Sequence, residues 1–554
     1  MEKTRKLLKK YLLFLILLLS LPAVRYLFVH GFFGVSDDLH IGWLYEMDRV
    51  VKMLQFPPRF VPDLSFAFGY PLFNFVYPLP FYIGEMFHLI GFSLVDSVKI
   101  VFGLSIPFSM YFMYKFLKEY LSEELALAGA VLYVYAPYRA VEIFVRGTIG
   151  EIVAFALFPL VMLSFTRLTK EKASFRRWIG ITALSIAALI LSHNIMAYMF
   201  MPFALLFLVA RIIWLVKDKK SVIIRSLAGL LLGLLSSIYF WFPAISESGL
   251  MHYDTVFSFY DHFPTLKQLI TPYFGYGASV PGPYDTMSFY IGLVGLLVVL
   301  FGLTLFVVKL KKFSKDEKII FLWGVLIFFV SIFIMNHRSA FLWRSIPLLP
   351  YFQFPWRFLS MITFSTPVFL LAFSKSKFGK IVSLIIIAAA IILNFNYFKT
   401  SEYLGRKDNY YLNRYIPALV ASVEYGETAE EYLRLPKDTL TRPDKVYPRA
   451  YSAVSGIKQI GEENALDAKI ITDFPEEFVL NYSKYYFPGW FAKIDGKRTK
   501  IAPGEPYGQI TLTVPGGRHT VEVYYKESPI RLVFDFVSLA GFGVAVFIII
   551  RKKK

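Results

Sequence analysis

The chain has 554 residues, of which 56% are hydrophobic, 18% aromatic and only 18% charged, and its net charge is +19. A charged fraction so far below the roughly 25% of soluble domains excludes a soluble enzyme. The absence of cysteine excludes disulfides, thiolate chemistry and cysteine-bound metal.

A membrane span needs about 20 mostly apolar residues to cross a hydrocarbon core of roughly 30 Å. Thirteen segments are candidates: 11–29, 79–92, 98–116, 125–143, 150–167, 178–192, 195–215, 223–243, 287–309, 318–335, 358–373, 380–396 and 530–550. The first lacks a clear small-residue cleavage site and reads as an uncleaved anchor. Lys and Arg favour cytoplasmic loops. They cluster here at 3–10, 167–177, 211–225, 309–318, 375–380 and 551–554, and without those clusters the chain is slightly acidic. The basic balance is therefore a record of topology, and nucleic acid is excluded as a partner. Both termini are expected in the cytoplasm of a multi-pass plasma-membrane protein. That arrangement puts 31–78, 144–149, 193–194, 244–286, 336–357 and 397–529 on the outer side. It requires one candidate not to cross. The short 79–92, after the Pro- and Gly-rich run Phe68 to Pro80, is the choice, as a re-entrant or interfacial element.

The expected organisation is a transmembrane domain over 1–396 with a first outer loop at 31–78. An extracytoplasmic domain covers 397–529, and a last span with a basic tail covers 530–554. In the outer domain Asp495-Gly496 and Pro515-Gly516-Gly517 separate alternating apolar runs, which predicts hairpins of a small β-sandwich. That domain serves either as a lid or as a substrate-binding module. Asn481-Tyr482-Ser483 fits the glycan acceptor pattern, a weak three-residue match.

Ionisable residues near hydrocarbon are costly, and a cluster of them marks function. Asp37 and Asp38 follow the first span. Two carboxylates there suit proton abstraction from a hydroxyl or binding of a divalent cation such as Mg or Mn; an acidic helix cap is the structural alternative. Arg139 and Arg146, beside Glu142, Gly147, Gly150 and Glu151, suit an anionic group such as phosphate, or an Arg–Glu pair that fixes the bundle. His193 lies at a sharp turn between spans, as a ligand or a packing group. Arg357, next to Trp356, adds a further cation on the same side. The 244–286 loop brings His252, Tyr253, Asp254, Asp261, His262, Tyr273, Tyr276, Tyr284 and Asp285, types suited to sugars but without a spacing pattern. Carboxylates and cations facing one compartment suggest a hydroxyl nucleophile and a lipid-borne phosphate leaving group.

With an acidic pair after the first span, a long first outer loop and about 12–13 membrane segments before an outer C-terminal domain, the chain resembles the GT-C superfamily of polyprenyl-phosphate-sugar-dependent glycosyltransferases. More narrowly, Phe68 to Pro80, Tyr135-Ala-Pro-Tyr-Arg139, Arg146-Gly-Thr-Ile-Gly-Glu151, Ser192-His-Asn194 and Gln353-Phe-Pro-Trp-Arg357 resemble the membrane family labelled 6-pyruvoyl-tetrahydropterin synthase-related. Tyr486-Phe-Pro-Gly-Trp490 and Asp495-Gly496 are similar to YfhO-type membrane proteins. No histidine cluster resembles the soluble zinc enzyme of pterin synthesis. The resemblance implies a helical polytopic fold and an inverting transfer of sugar from a polyprenyl-phosphate donor to a glycan, lipid or protein acceptor. Asp37 or Asp38 is implied as the base. By our own extension, Arg139, Arg146, Glu151, His193 and Arg357 bind donor phosphate or substrate. Some members of the superfamily use a divalent metal at the carboxylates and others do not. A lipid or polysaccharide transporter, or an accessory protein of cell-envelope glycan assembly, is the competing reading.

Overall fold

The computed structural model describes residues 2–170, 175–252, 258–376, 378–416 and 435–551, with side chains from residue 11 onward, 462 and 463 excepted. Lys172, Tyr253, Asp254, Lys377 and Lys552 to Lys554 lie outside the described residues. The protein is mostly helical. Among the described residues nine helices are long and apolar enough to cross a membrane. There are ten if Lys219–Ser236 and Ile238–Ser246, bent by 67° at their junction, make one span.

Three candidate segments take other forms. The 79–92 segment is a helix of only 11 residues, Leu79–Leu89. At 1.5 Å per residue it reaches roughly 16 Å, about half of a hydrocarbon core. The 287–309 segment is the shorter apolar helix Leu293–Val308. The 125–143 segment breaks, because Pro137 forces the preceding residue out of helical geometry. Helix Glu123–Val134 stops there, Pro137–Val141 restarts, and a π-turn runs over Glu142–Arg146.

The bundle has two polar ends. At one, Arg167 and Lys170 pair with Glu119, Arg211 pairs with Asp316, and Lys375 reaches Glu317 at 2.7 Å. Lys309 Nζ also donates to Lys375 O at 3.5 Å. Clusters read from the sequence as sharing a side therefore do meet. The other end holds Glu151, roughly 24 Å from Arg167 along helix Ile149–Leu168.

Above that second end stands the C-terminal region. Strands Ala450–Tyr451, Phe478–Tyr485, Gln509–Val514 and Ala502–Gly504 form one antiparallel sheet. Ile457–Asn464, Asp467–Phe474, Gly517–Tyr525, Trp490–Ile494 and Lys497–Thr499 form the other. Alternating residues such as Leu480, Ile510, Ile470 and Val521 are buried, and Tyr482 meets Trp490 across the sheets at 5.8 Å. Asp495 (φ +50°) and Gly496 (φ +77°) make the expected tight hairpin, since both central residues of such a turn need positive φ. The Pro515-Gly516-Gly517 hairpin is corrected. The strands it joins lie in different sheets, so the turn carries the chain across the sandwich.

The first loop is stitched to this region. Phe32–Phe33 pairs antiparallel with Tyr403–Arg406, and Asp408 accepts from the Leu94 and Val95 backbone N–H groups at 2.9 Å, where a carboxylate satisfies the start of helix Leu94–Leu117. Arg59, buried, donates to Glu527 at 2.9 Å and to Asp535 at 2.8 Å. Three consecutive residues, Ser65, Phe66 and Ala67, have φ of +55°, +51° and +65°. Lys484 donates to Pro62 O and Ala67 O at 2.8 and 2.6 Å across that left-handed turn.

Candidate active site

The site begins with backbone geometry. The π-turn Glu142–Arg146 ends at Gly147, whose φ is +74°, and a Cβ there would lie 2.6 Å from Val35. Only glycine allows the first loop to approach so closely. Residues 36 and 37 then lie along the turn: Ser36 N donates to Val145 O at 3.1 Å and Asp37 N to Arg146 O at 2.8 Å. His40 Nδ1 meets Gly147 O at 3.1 Å. A carbonyl only accepts, so Nδ1 carries the proton. Burial lowers the His40 pKa to about 4, leaving a neutral ring.

Around this strip the predicted residues gather. Arg146 Nη1 donates to Glu142 Oε1 at 2.7 Å and Nη2 to Glu151 Oε1 at 3.0 Å. Arg357 Nε donates to the same Glu151 oxygen at 3.2 Å. Its Nη1 donates to Phe352 O at 2.9 Å and to Gln353 Oε1 at 2.6 Å. Gln353 itself has φ +66°, a costly backbone state for a non-glycine residue. His193 Nδ1 accepts from Met196 N at 3.2 Å, so the neutral ring carries its proton on Nε2, 4.0 Å from Glu151 Oε1.

Asp37 faces these groups. Its carboxyl pKa is raised by burial, lowered by Arg146, raised by Glu151 and lowered by Arg357, with a net rise. As a residue Asp37 is only partly buried, while Glu151 has no exposed surface. Arg146 and Arg357 retain 7% and 6% exposure. Glu151 therefore stands behind the two guanidinium groups and holds them, deeper than Asp37 and the arginines. That position does not match the substrate contact expected of Glu151.

Two expected site residues lie elsewhere. Asp38 turns the other way: Tyr415 OH donates to its carboxylate, and the charges of Arg414 and Arg406 act on it. The two aspartates lie in the turn that leads into helix His40–Lys52, where His40 N and Ile41 N donate to the Asp37 and Asp38 carbonyls, and there one aspartate faces the site while the other anchors helix Asp408–Tyr415. Arg139 is fully buried in the bundle, donates Nη2 to Ser109 Oγ at 3.1 Å and sits 4.3 Å from the Phe155 ring centroid. Nothing brings it to Asp37. The two carboxylates expected as possible Mg or Mn ligands therefore do not converge on one point, and among the described residues no three His, Asp or Glu side chains group at metal-binding geometry.

Sequence reasoning missed Tyr77 as a site residue. Its ring stacks on His193 at 4.5 Å, and a Cβ on Gly150 would lie 2.3 Å from it. The signal lay in the glycines: Gly147 and Gly150 mark two close approaches on either side of one turn. Trp356 lies 4.6 Å from the Arg146 guanidinium and donates Nε1 to Ser279 Oγ at 3.1 Å, joining the 258–290 loop to the site.

The chain is similar to the arabinofuranosyltransferase AftD from Mycobacteria (13% identity, 70% of this chain and 27% of that one, TM-score 0.44). It is also similar to the Archaeoglobus fulgidus oligosaccharyltransferase (14% identity, 79% and 61%, TM-score 0.44). An uncharacterized protein of Lactococcus lactis subsp. cremoris (strain MG1363) is 25% identical over 250 residues, 43% of this chain and 39% of that protein. The chain thus spans about two-fifths of the length of the curated relative it matches. The profile of a membrane-protein family, the 6-pyruvoyl-tetrahydropterin synthase related domain, matches residues 73–403. That stretch is more than half of the sequence and contains Tyr77, Arg146, Glu151, His193 and Arg357, and the chain belongs to this family.

Proposed function

We propose that the protein is a glycosyltransferase of GT-C type that moves a sugar from a polyprenyl-phosphate-linked donor to a hydroxyl of a glycan, lipid or protein acceptor on the outer side of the plasma membrane. The observation that carries this reading is Asp37, a carboxylate facing two guanidinium groups that a buried glutamate holds in place. Asp37 takes the acceptor's proton as the acceptor oxygen bonds to the anomeric carbon. The bond from that carbon to the phosphate oxygen breaks from the opposite face, with inversion. The donor phosphodiester carries one negative charge and the released lipid phosphate two. Arg146 and Arg357 offset the added charge where it forms. Burial raises the Asp37 pKa, bringing the base closer to working pH.

The test is release of polyprenyl phosphate and sugar transfer in membranes holding the full chain. Asp37→Asn is expected to cost about 10²–10⁴-fold, while Asp38→Asn retains turnover. The acid limb of the wild-type pH profile should lie above the ordinary aspartate value, because the active form is deprotonated and its pKa is raised. Undiminished transfer by Asp37→Asn would overturn the reading.

A further inference from the structure

Residues 336–352 link two candidate spans, Lys315–Met335 and Pro355–Lys375, so the segment is held at the bilayer surface at the site end of the bundle. It has two faces. Ser339, Ala340, Trp343 and Phe352 are buried, and Trp343 Nε1 donates to Ile334 O at 3.0 Å while its ring stacks on Phe259. The other face is exposed: Phe341 (57%), Ile346 (43%), Leu348 (53%) and Tyr351 (60%), interleaved with Arg338 and Arg344. The apolar groups alone would say only that hydrocarbon is near.

The charge says more. No Asp or Glu occurs between Lys318 and Ser401. The Arg344 guanidinium lies 5.2 Å from the Tyr260 ring centroid, and neither it nor Arg338 forms an ion pair among the described residues. Asp261, beside Tyr260, pairs with neither. Exposed apolar side chains next to uncompensated arginines, with no carboxylate on the segment, fit an interfacial element that inserts its apolar groups and pairs its cations with anionic head groups. We propose that this face docks on anionic phospholipid of the adjoining leaflet. The segment runs directly into Phe352 and Gln353, whose oxygens hold Arg357, so the lipid surface also steadies one wall of the site. The proposal does not depend on which reaction the site performs.

The test is hydrogen exchange on the full-length protein in nanodiscs of phosphatidylcholine alone or mixed with phosphatidylglycerol. Peptides covering 336–352 should exchange on the order of tenfold more slowly with phosphatidylglycerol. The doubly substituted Arg338→Gln/Arg344→Gln protein, changed only at exposed positions, should lose that difference. Equal exchange in both lipids, or a difference that survives the substitutions, overturns the proposal. So does protection that follows the number of protein copies per disc in place of lipid charge, since a second copy would then cover the face.

Discussion

The two ends of the helix bundle use the same residue types under different exposure. At the basic end, Lys375 and Glu317 are 29% and 16% exposed, and Arg167 is 41% exposed beside Glu119. These pairs tie short loops together at partly exposed positions, where an ion pair contributes little; Arg211, buried beside Asp316, is the exception at that end. At the site end, Arg146 and Arg357 share one oxygen of a glutamate with no exposure, and its second oxygen has no hydrogen-bond partner. A buried charge cluster is expensive and is retained where its geometry has a use. Convergence of two guanidinium groups on one buried carboxylate oxygen, more than burial or ion pairing alone, separates the site end from the basic one.

Removing Glu151 is the strongest way to break that contrast. Glu151→Gln leaves two buried guanidinium groups short of an anion and should lower stability by about 3–5 kcal/mol, read as a fall in the thermal midpoint of the purified protein. Arg357→Lys keeps the charge but loses the fork that bridges Glu151, Phe352 and Gln353. It should cost about 10²–10³-fold in turnover with a smaller change in stability. Tyr415→Phe sharpens the division between adjacent aspartates. Leaving the buried Asp38 carboxylate without its donor should cost about 1–3 kcal/mol in thermal unfolding, while the pH profile of turnover stays where Asp37 sets it. The smallest effect belongs to the basic end, where Lys375→Gln should change stability by less than about 1 kcal/mol and leave turnover unaltered.

Much of this was legible in the sequence, for identifiable reasons. Apolar length gave the spans, and the Lys and Arg clusters gave the alternation that brings Arg146, Glu151, His193 and Arg357 to one end. What failed depended on rotation about a local axis. Asp37 and Asp38 share a composition and a neighbourhood, and only the hydrogen bonds of Ser36 and Asp37 to the π-turn decide which carboxylate faces the cluster. Arg139 and Arg146 lie two turns apart by count, but the break at Pro137 and the π-turn reset the face, and they part. Pairing of Phe32–Phe33 with Tyr403–Arg406 had no local signal, since two residues carry no periodicity.

That last pairing bears on how the protein is made. Asp38 and the tyrosine that binds it are 377 residues apart. At about 5–20 residues per second, translation of the intervening chain takes roughly 20–75 s. During that interval the first loop has left the first span but lacks its ladder partner, its Arg59 acceptors and the lysine that closes over Ser65–Ala67. A ribosome-bound chain stopped before residue 403 would present Asp37 on an unfinished surface, so the site is completed only when the C-terminal region arrives and closes the loop.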